Sequence, residues 1–211
     1  MRVLHSSDLH GKVRKLILNL ANEKYDLWID TGDFFPNISR GKPHIEVPYQ
    51  TGWAERDGLV EILLEALNGR PLISIPGNHD YISLADTLKA AGGNAHTVVP
   101  QGINVAGYTW AGFRHIPWIA GEWQGETHNF SQLITRVLEA KPDFLITHAP
   151  PAGILDGPGY GIPGLTAKLM YENHNIKAHF FGHEHSAGGY KDIKSDILFA
   201  NGARTNKIHI I

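Results

Sequence analysis

Five short polar motifs, strung out between residues 6 and 185, each begin where an apolar run stops. They read Ser6-Ser7-Asp8-Leu9-His10-Gly11, Thr31-Gly32-Asp33, Gly77-Asn78-His79-Asp80, Thr147-His148-Ala149-Pro150-Pro151 and Gly182-His183-Glu184-His185. Side chains so distant in sequence meet only if parallel or mixed strands carry their carboxyl ends to one edge of a sheet, where open α/β folds build their sites. The chain is thereby committed to alternating strands and helices whose motifs share a rim.

Hydrophobic spacing agrees. Arg2 to Ser7, Asp26 to Thr31 and Leu72 to Ile75 read as strands. Between them, Val13 to Lys24 and Glu55 to Leu67 place Val13, Leu16, Ile17 and Leu20, then Leu59, Ile62, Leu63 and Ala66, at helical spacing. Further helices are expected at Leu84 to Ala91, Ser131 to Ala140 and Leu165 to Asn173. Further strands are expected at Thr97 to Val99, Ile103 to Tyr108, Phe144 to Thr147, Ala178 to Phe181, Ile197 to Ala200 and Lys207 to Ile211. Three long segments, Phe34 to Trp53, Trp110 to Phe130 and Ala149 to Gly164, read as functional loops rich in aromatics, proline or glycine.

A length of 211 residues suits one α/β domain spanning 1–211, and 42% hydrophobic residues suffice for a continuous core. The formal net charge of -2 lacks the basic excess needed to hold long nucleic acid by phosphate neutralisation. Without cysteine, neither a disulfide framework nor a thiolate metal site is possible. No apolar stretch reaches membrane-spanning length and no leader precedes the first strand, so a soluble cytoplasmic protein is expected.

The motif residues are of the types that bind metal: Asp8, His10, Asp33, Asn78, His148, His183 and His185 offer only oxygen and nitrogen, a donor set suited to Mn, Fe, Zn, Ni or Mg. Asp-x-His and Gly-Asp are weak signals taken singly; Gly-Asn-His-Asp is sharper, joining an amide ligand to a histidine and an acid. Five in order, all at strand ends, point to a pair of divalent ions. Ions about 3.5 to 4 Å apart need a shared ligand, and Asp33, with two carboxylate oxygens, is the candidate.

This ordered set resembles the calcineurin-like metallophosphoesterase superfamily across residues 8 to 185, and within it the small phosphodiesterases related to the MPPED group. The resemblance implies a four-layer α/β/β/α sandwich of two mixed sheets flanked by helices. It also implies one ion on Asp8, His10, Asp33 and His185, a second on Asp33, Asn78, His148 and His183, and His79 beside the leaving group. The chain departs from many relatives in following Gly32-Asp33 with Phe34-Phe35-Pro36.

The expected activity is hydrolysis of a small phosphodiester, such as a cyclic nucleotide, by a metal-bridging hydroxide. His79, oriented by Asp80, acts as general acid, and Mn is the favoured metal. A phosphomonoesterase or protein phosphatase and a nuclease are the enzymatic alternatives; a metal-stabilised interaction module is the non-enzymatic one. The other eight histidines read as core or surface polar groups, with His115 the one nearest a potential site roof. Lys12, Arg14, Lys15 and Arg204 read as solvated or structural cations, and the tryptophans and Tyr160 as loop anchors or stacking surfaces.

Overall fold

Strands that alternate between two apolar environments build the centre of the molecule. A computed structural model describes residues 1–211. In chain order its first half runs β1 (Arg2–Ser7), α1 (Arg14–Asn22), β2 (Leu27–Asp30), α2 (Pro43–Glu55), α3 (Leu59–Leu67), β3 (Leu72–Ser74), α4 (Leu84–Ala90) and β4 (Ala95–Thr97). The second half runs β5 (Ile103–Val105), β6 (Tyr108–Phe113), β7 (Ile116–Pro117), β8 (Glu126–Thr127), α5 (Ser131–Glu139), β9 (Phe144–Thr147), α6 (Leu165–Tyr171), β10 (Ala178–Phe181), β11 (Lys191–Lys194), β12 (Ile197–Asn201) and β13 (Thr205–Ile210).

Two mixed sheets result, one ordered β13-β1-β2-β3-β4 and the other β11-β12-β10-β9-β6-β5; β7 and β8 pair separately. Within the first, β1 to β4 are parallel and β13 closes the edge antiparallel to β1. In the second, β12, β10, β9 and β6 are parallel, with antiparallel strands at both edges. Val3, Leu27, Ile29 and Ile73 face Phe144, Ile146, Ala178 and Phe180 in a layer between the sheets. Their chain neighbours Leu4, Trp28 and Leu72 turn outward under α1, α3 and α4, while Leu145, Phe181 and Phe199 pack under α5 and α6. The result is the expected α/β/β/α sandwich. A one-residue slip in any central strand would exchange these layers, and burying each Leu, Ile or Phe contributes about 1.5–3 kcal/mol, so the register is strongly held.

Several local expectations are corrected. Residues 43–55 form α2 rather than loop; its inward positions Glu46, Gln50 and Ala54 recur every four residues but two are polar, so no apolar stripe announces the helix. The helix expected from Glu55 starts only at Leu59, because Asp57 and Gly58 take left-handed conformations. Ile103 to Tyr108 is a hairpin rather than one strand, turned by Ala106 and Gly107 at φ 53° and 81°. Trp110 is a buried residue of β6, not part of a loop, and β11, whose exposed edge carries Lys191 and Lys194, went unforeseen.

Candidate metal centre

All five motifs leave the carboxyl ends of their strands on the same side of the sandwich. β1, β2 and β3 of the first sheet deliver Asp8 with His10, Asp33, and Asn78 with His79; β9 and β10 of the second deliver His148 and His183 with His185. Beyond the strands the loops remain zipped together: Asp8 N–H donates to Gly32 O at 2.8 Å, His10 N–H to Asp33 O at 2.9 Å, and Gly182 N–H to His148 O at 2.8 Å. Asp8, His10, Asp33 and His183 all hold left-handed backbone, at φ 54°, 45°, 56° and 64°. Strain of about 1–2 kcal/mol per residue is tolerated there because each conformation aims a side chain at the common centre. Close approach also accounts for two glycines. A Cβ on Gly77 would strike Asp33 Oδ1, and one on Gly182 would strike Ser7 Oγ and Asp8 Oδ2.

Asp33 lies at the middle. Its Oδ2 is 3.4 Å from His148 Nε2, 3.9 Å from His79 Nε2 and 4.0 Å from His10 Nε2. On one flank His185 Nε2 is 3.1 Å from Asp8 Oδ1, with His10 and His185 ring centroids 5.7 Å apart. On the other, Asn78 Oδ1 is 2.9 Å from His148 Nε2, and the His183 ring stands 5.1 Å from that of His148. Asp8–His10–His185, His10–Asp33–His79 and Asp8–Asp33–His148 each bring their ligand atoms within 4.8 Å of one another.

These donors fit cations. Asp8 and Asp33 are buried, 2% and 1% exposed, yet neither pairs with a lysine or arginine; imidazoles, the Ser7 hydroxyl and the backbone N–H groups of His79 and His183 face them. Buried carboxylates without strong counter-charge are costly. Burial by itself would raise the Asp33 carboxyl, but the His148, His79 and His10 rings hold it well below the usual carboxylate range. Burial disfavours a charged His148, whereas Asp33 and Asp8 lift it to about 9. A proton on His148 and a cation thus compete for the same carboxylates. His148 Nδ1 donates to the Thr31 carbonyl at 2.7 Å, which fixes the tautomer and turns Nε2 inward, the outer hydrogen bond expected of a metal-binding histidine. Burial pushes the His183 imidazole down to about 4, so it is a neutral donor at pH 7.

One expected relationship is overturned. Asp80 does not orient His79; its carboxylate accepts from the backbone N–H groups of Asp33 at 2.6 Å, Phe34 at 3.3 Å, Phe35 at 3.0 Å and Gly77 at 2.8 Å, stapling two motif loops. Burial, and then the Asp33 carboxylate, push it up to about 6. The ring of His79 is held by Asn37. Asn37 Oδ1 lies 2.6 Å from His79 Nδ1 while Asn37 Nδ2 donates to the His79 carbonyl at 2.7 Å. Gln50 donates to that same carbonyl at 2.8 Å, and Glu46 accepts from Ile38 and Ser39, so α2 braces the segment carrying Asn37.

Over the outer face of His79 lies Trp123, ring centroids 4.2 Å apart, with the Arg40 guanidinium 4.5 Å above the indole. Arg114 donates to the carbonyls of Gly77 and Asp80 at 2.6 and 2.9 Å, bracing the Gly-Asn-His-Asp turn from the second sheet. The His115 ring instead stands with its centroid 6.3 Å from that of Phe113. Ile119 and Tyr160 border a cavity of about 290 Å³ beside His183 and His185.

A sequence profile described as calcineurin-like phosphoesterase matches residues 1–187. The chain belongs to that family. As a calcineurin-like phosphoesterase it is a metal-dependent phosphoester hydrolase, and the buried Asp/His cluster is where its metal would bind. Among solved structures, the phosphopantetheinyl hydrolase PptH of Mycobacterium tuberculosis is 14% identical with a TM-score of 0.51, over 96% of this chain and 89% of that one. GAP50 of Plasmodium, described as the anchor in the inner membrane complex, is 13% identical with a TM-score of 0.50, over 96% and 71%. At such identities the likeness is one of fold alone. No curated protein matches the chain in sequence.

Proposed function

We propose that this phosphoesterase hydrolyses a small phosphodiester with two divalent ions, Mn favoured. Asp8, His10, Asp33 and His185 would hold one ion and Asp33, Asn78, His148 and His183 the other. Supporting this reading above all is the position of Asp33, buried among His10, His79 and His148 with no lysine or arginine to neutralise it. When bound, such ions supply Lewis acidity, easing deprotonation of water and offsetting charge on phosphoryl oxygens.

The chain's own residues supply the rest. Because Asn37 Nδ2 donates to a carbonyl, its Oδ1 must face the ring; His79 Nδ1 therefore carries the donated proton and Nε2 looks toward Asp33. Delivery of a proton from Nε2 to the departing alkoxide therefore draws on the doubly protonated imidazolium, a form that burial disfavours and the Asp33 carboxylate favours, and returns the ring to its neutral Nδ1–H state. Trp123 packs against the His79 ring and is itself capped by Arg40, so one side of the imidazole is held by the indole. Arg114 is committed to two backbone carbonyls. Both bonds run through Nη2 and Nε is buried without a partner, so Arg114 does not separate a singly charged diester from a monoester.

A panel of bis-p-nitrophenyl phosphate, p-nitrophenyl phosphate, cyclic nucleotides and dinucleotides, each with Mn, Mg, Zn or Ni, tests this. Diesters should turn over fastest, and Asp33→Ala should abolish the activity. A monoester preference would overturn the diester assignment, and bound metal without turnover of any ester would make the protein an interaction module.

A further inference from the structure

Beside the metal centre, on the Asp8 and His10 flank, lies a second cavity of about 290 Å³. Asp8 and His10 line it directly, so it opens from the candidate centre itself. Its remaining polar lining comes from separate parts of the chain: Lys12 in the loop before α1, Lys15 in the first turn of α1, Arg204 in the turn between β12 and β13, and Asn206 on β13.

Three cations thus converge in a protein whose net charge is -2. None of Lys12, Lys15 and Arg204 forms an ion pair. The one carboxylate in the lining, Asp8, is already engaged by Ser7, His183 N–H and His185. Arg204 is fixed by its backbone: it adopts φ 55° and donates N–H to Ser7 O at 2.9 Å, which ties its turn to the strand bearing Asp8. Asn206 accepts from Asn19 through Oδ1, which leaves its NH2 without an acceptor within the protein. Donors of this kind, unpaired and gathered from two ends of the chain around one cavity, match an oxyanion with several acceptor oxygens.

We infer that this cavity binds a second phosphate of the substrate, distinct from the phosphoryl group that is hydrolysed and next to it. The inference rests on the phosphodiesterase reading for the reaction itself but not for the anion contact. It narrows the substrate class to small diesters that carry a further phosphoryl group. The cluster ends at three cations, which suits one dianion and not a long polyanion.

Calorimetry on the metal-loaded protein with propane-1,3-diol bisphosphate and with propyl phosphate separates the two phosphate contacts. The bisphosphate should bind at least about tenfold more tightly than the monophosphate. The Lys12→Ala/Lys15→Ala/Arg204→Ala variant should erase most of that advantage, and Lys15→Arg should keep it. A second arm follows the kcat/KM ratio between a diester bearing a terminal phosphate and the same diester ending in a hydroxyl; the triple variant should lower this ratio as well. An unchanged affinity advantage in the triple variant overturns the anion site even if diesters turn over normally. An advantage lost as expected, with no diester hydrolysed by the wild type, leaves the anion site standing and removes the diesterase reading.

Discussion

Asn37 grips His79 at both ends, accepting from its ring Nδ1 at 2.6 Å and donating to its carbonyl at 2.7 Å. If that grip positions the ring for proton delivery, Asn37→Ala should lower kcat for an alkyl diester about tenfold to a hundredfold, with KM little changed. Activated aryl diesters should lose much less, and Asn37→Asp should retain most of the rate. Equal losses on alkyl and aryl esters would assign Asn37 a purely structural role.

His79→Ala probes the same step one residue inward. Alkyl ester turnover should collapse by roughly 10² or more while metal content stays at the wild-type level. Loss of metal in this variant would make His79 a ligand instead, an outcome its 3.9 Å distance to Asp33 makes worth measuring.

Asn78→Ala removes an oxygen 2.9 Å from His148 Nε2. Metal content by elemental analysis should fall from about two ions per chain toward about one, and Asp33→Ala should empty both positions. Unchanged stoichiometry in either variant contradicts the ligand assignment.

Metal binding should release protons. His148, lifted to about 9 by Asp33 and Asp8 against burial, must give up its inner proton before a cation takes that place. Affinity should therefore weaken as pH falls from about 8 to 6, by up to about tenfold per unit for one proton. Calorimetry in two buffers of different ionisation enthalpy counts the protons released; none released would sink the competition.

A separate acid sensitivity belongs to the core. Thr147 Oγ1 donates to Ala149 O, so it accepts from His179 Nε2, which leaves His179 Nδ1 buried and unpartnered. Burial pushes His179 down to about 3. Above about pH 6.5 neither folded nor unfolded chain protonates it. As pH falls from 6.5 toward 3 the unfolded chain takes up a proton that the folded chain refuses, so stability drains across that window. His179→Phe should flatten the acid limb of Tm against pH by an amount on the order of a few kcal/mol in stability, leaving a residual slope from His5 and His209, both also lowered by burial.

The sandwich and the meeting of the motifs were legible because strands buried on both faces, such as Leu27-Trp28-Ile29 and Phe144-Leu145-Ile146, leave long apolar signatures ending in conspicuous polar residues. What escaped reading was the support of the site. Helix α2 turns Glu46 and Gln50 inward, and polar residues buried to satisfy a loop's backbone groups look from sequence like solvent-facing ones. Asn37 hid in the Pro36-Asn37 turn for the same reason. The departure at Phe34-Phe35-Pro36 marks where that support begins: both phenylalanines anchor in the first-sheet core, and Asn37 is carried to His79. Adjacency in sequence suggests Asp80 as a partner for His79, whereas the turn points its carboxylate at four backbone donors.

Anomalous diffraction from crystals grown with Mn tests the central claim most directly. Two peaks should flank Asp33, one beside Asp8, His10 and His185 and the other beside Asn78, His148 and His183. A single peak away from Asp33, or none at saturating metal, would contradict the account.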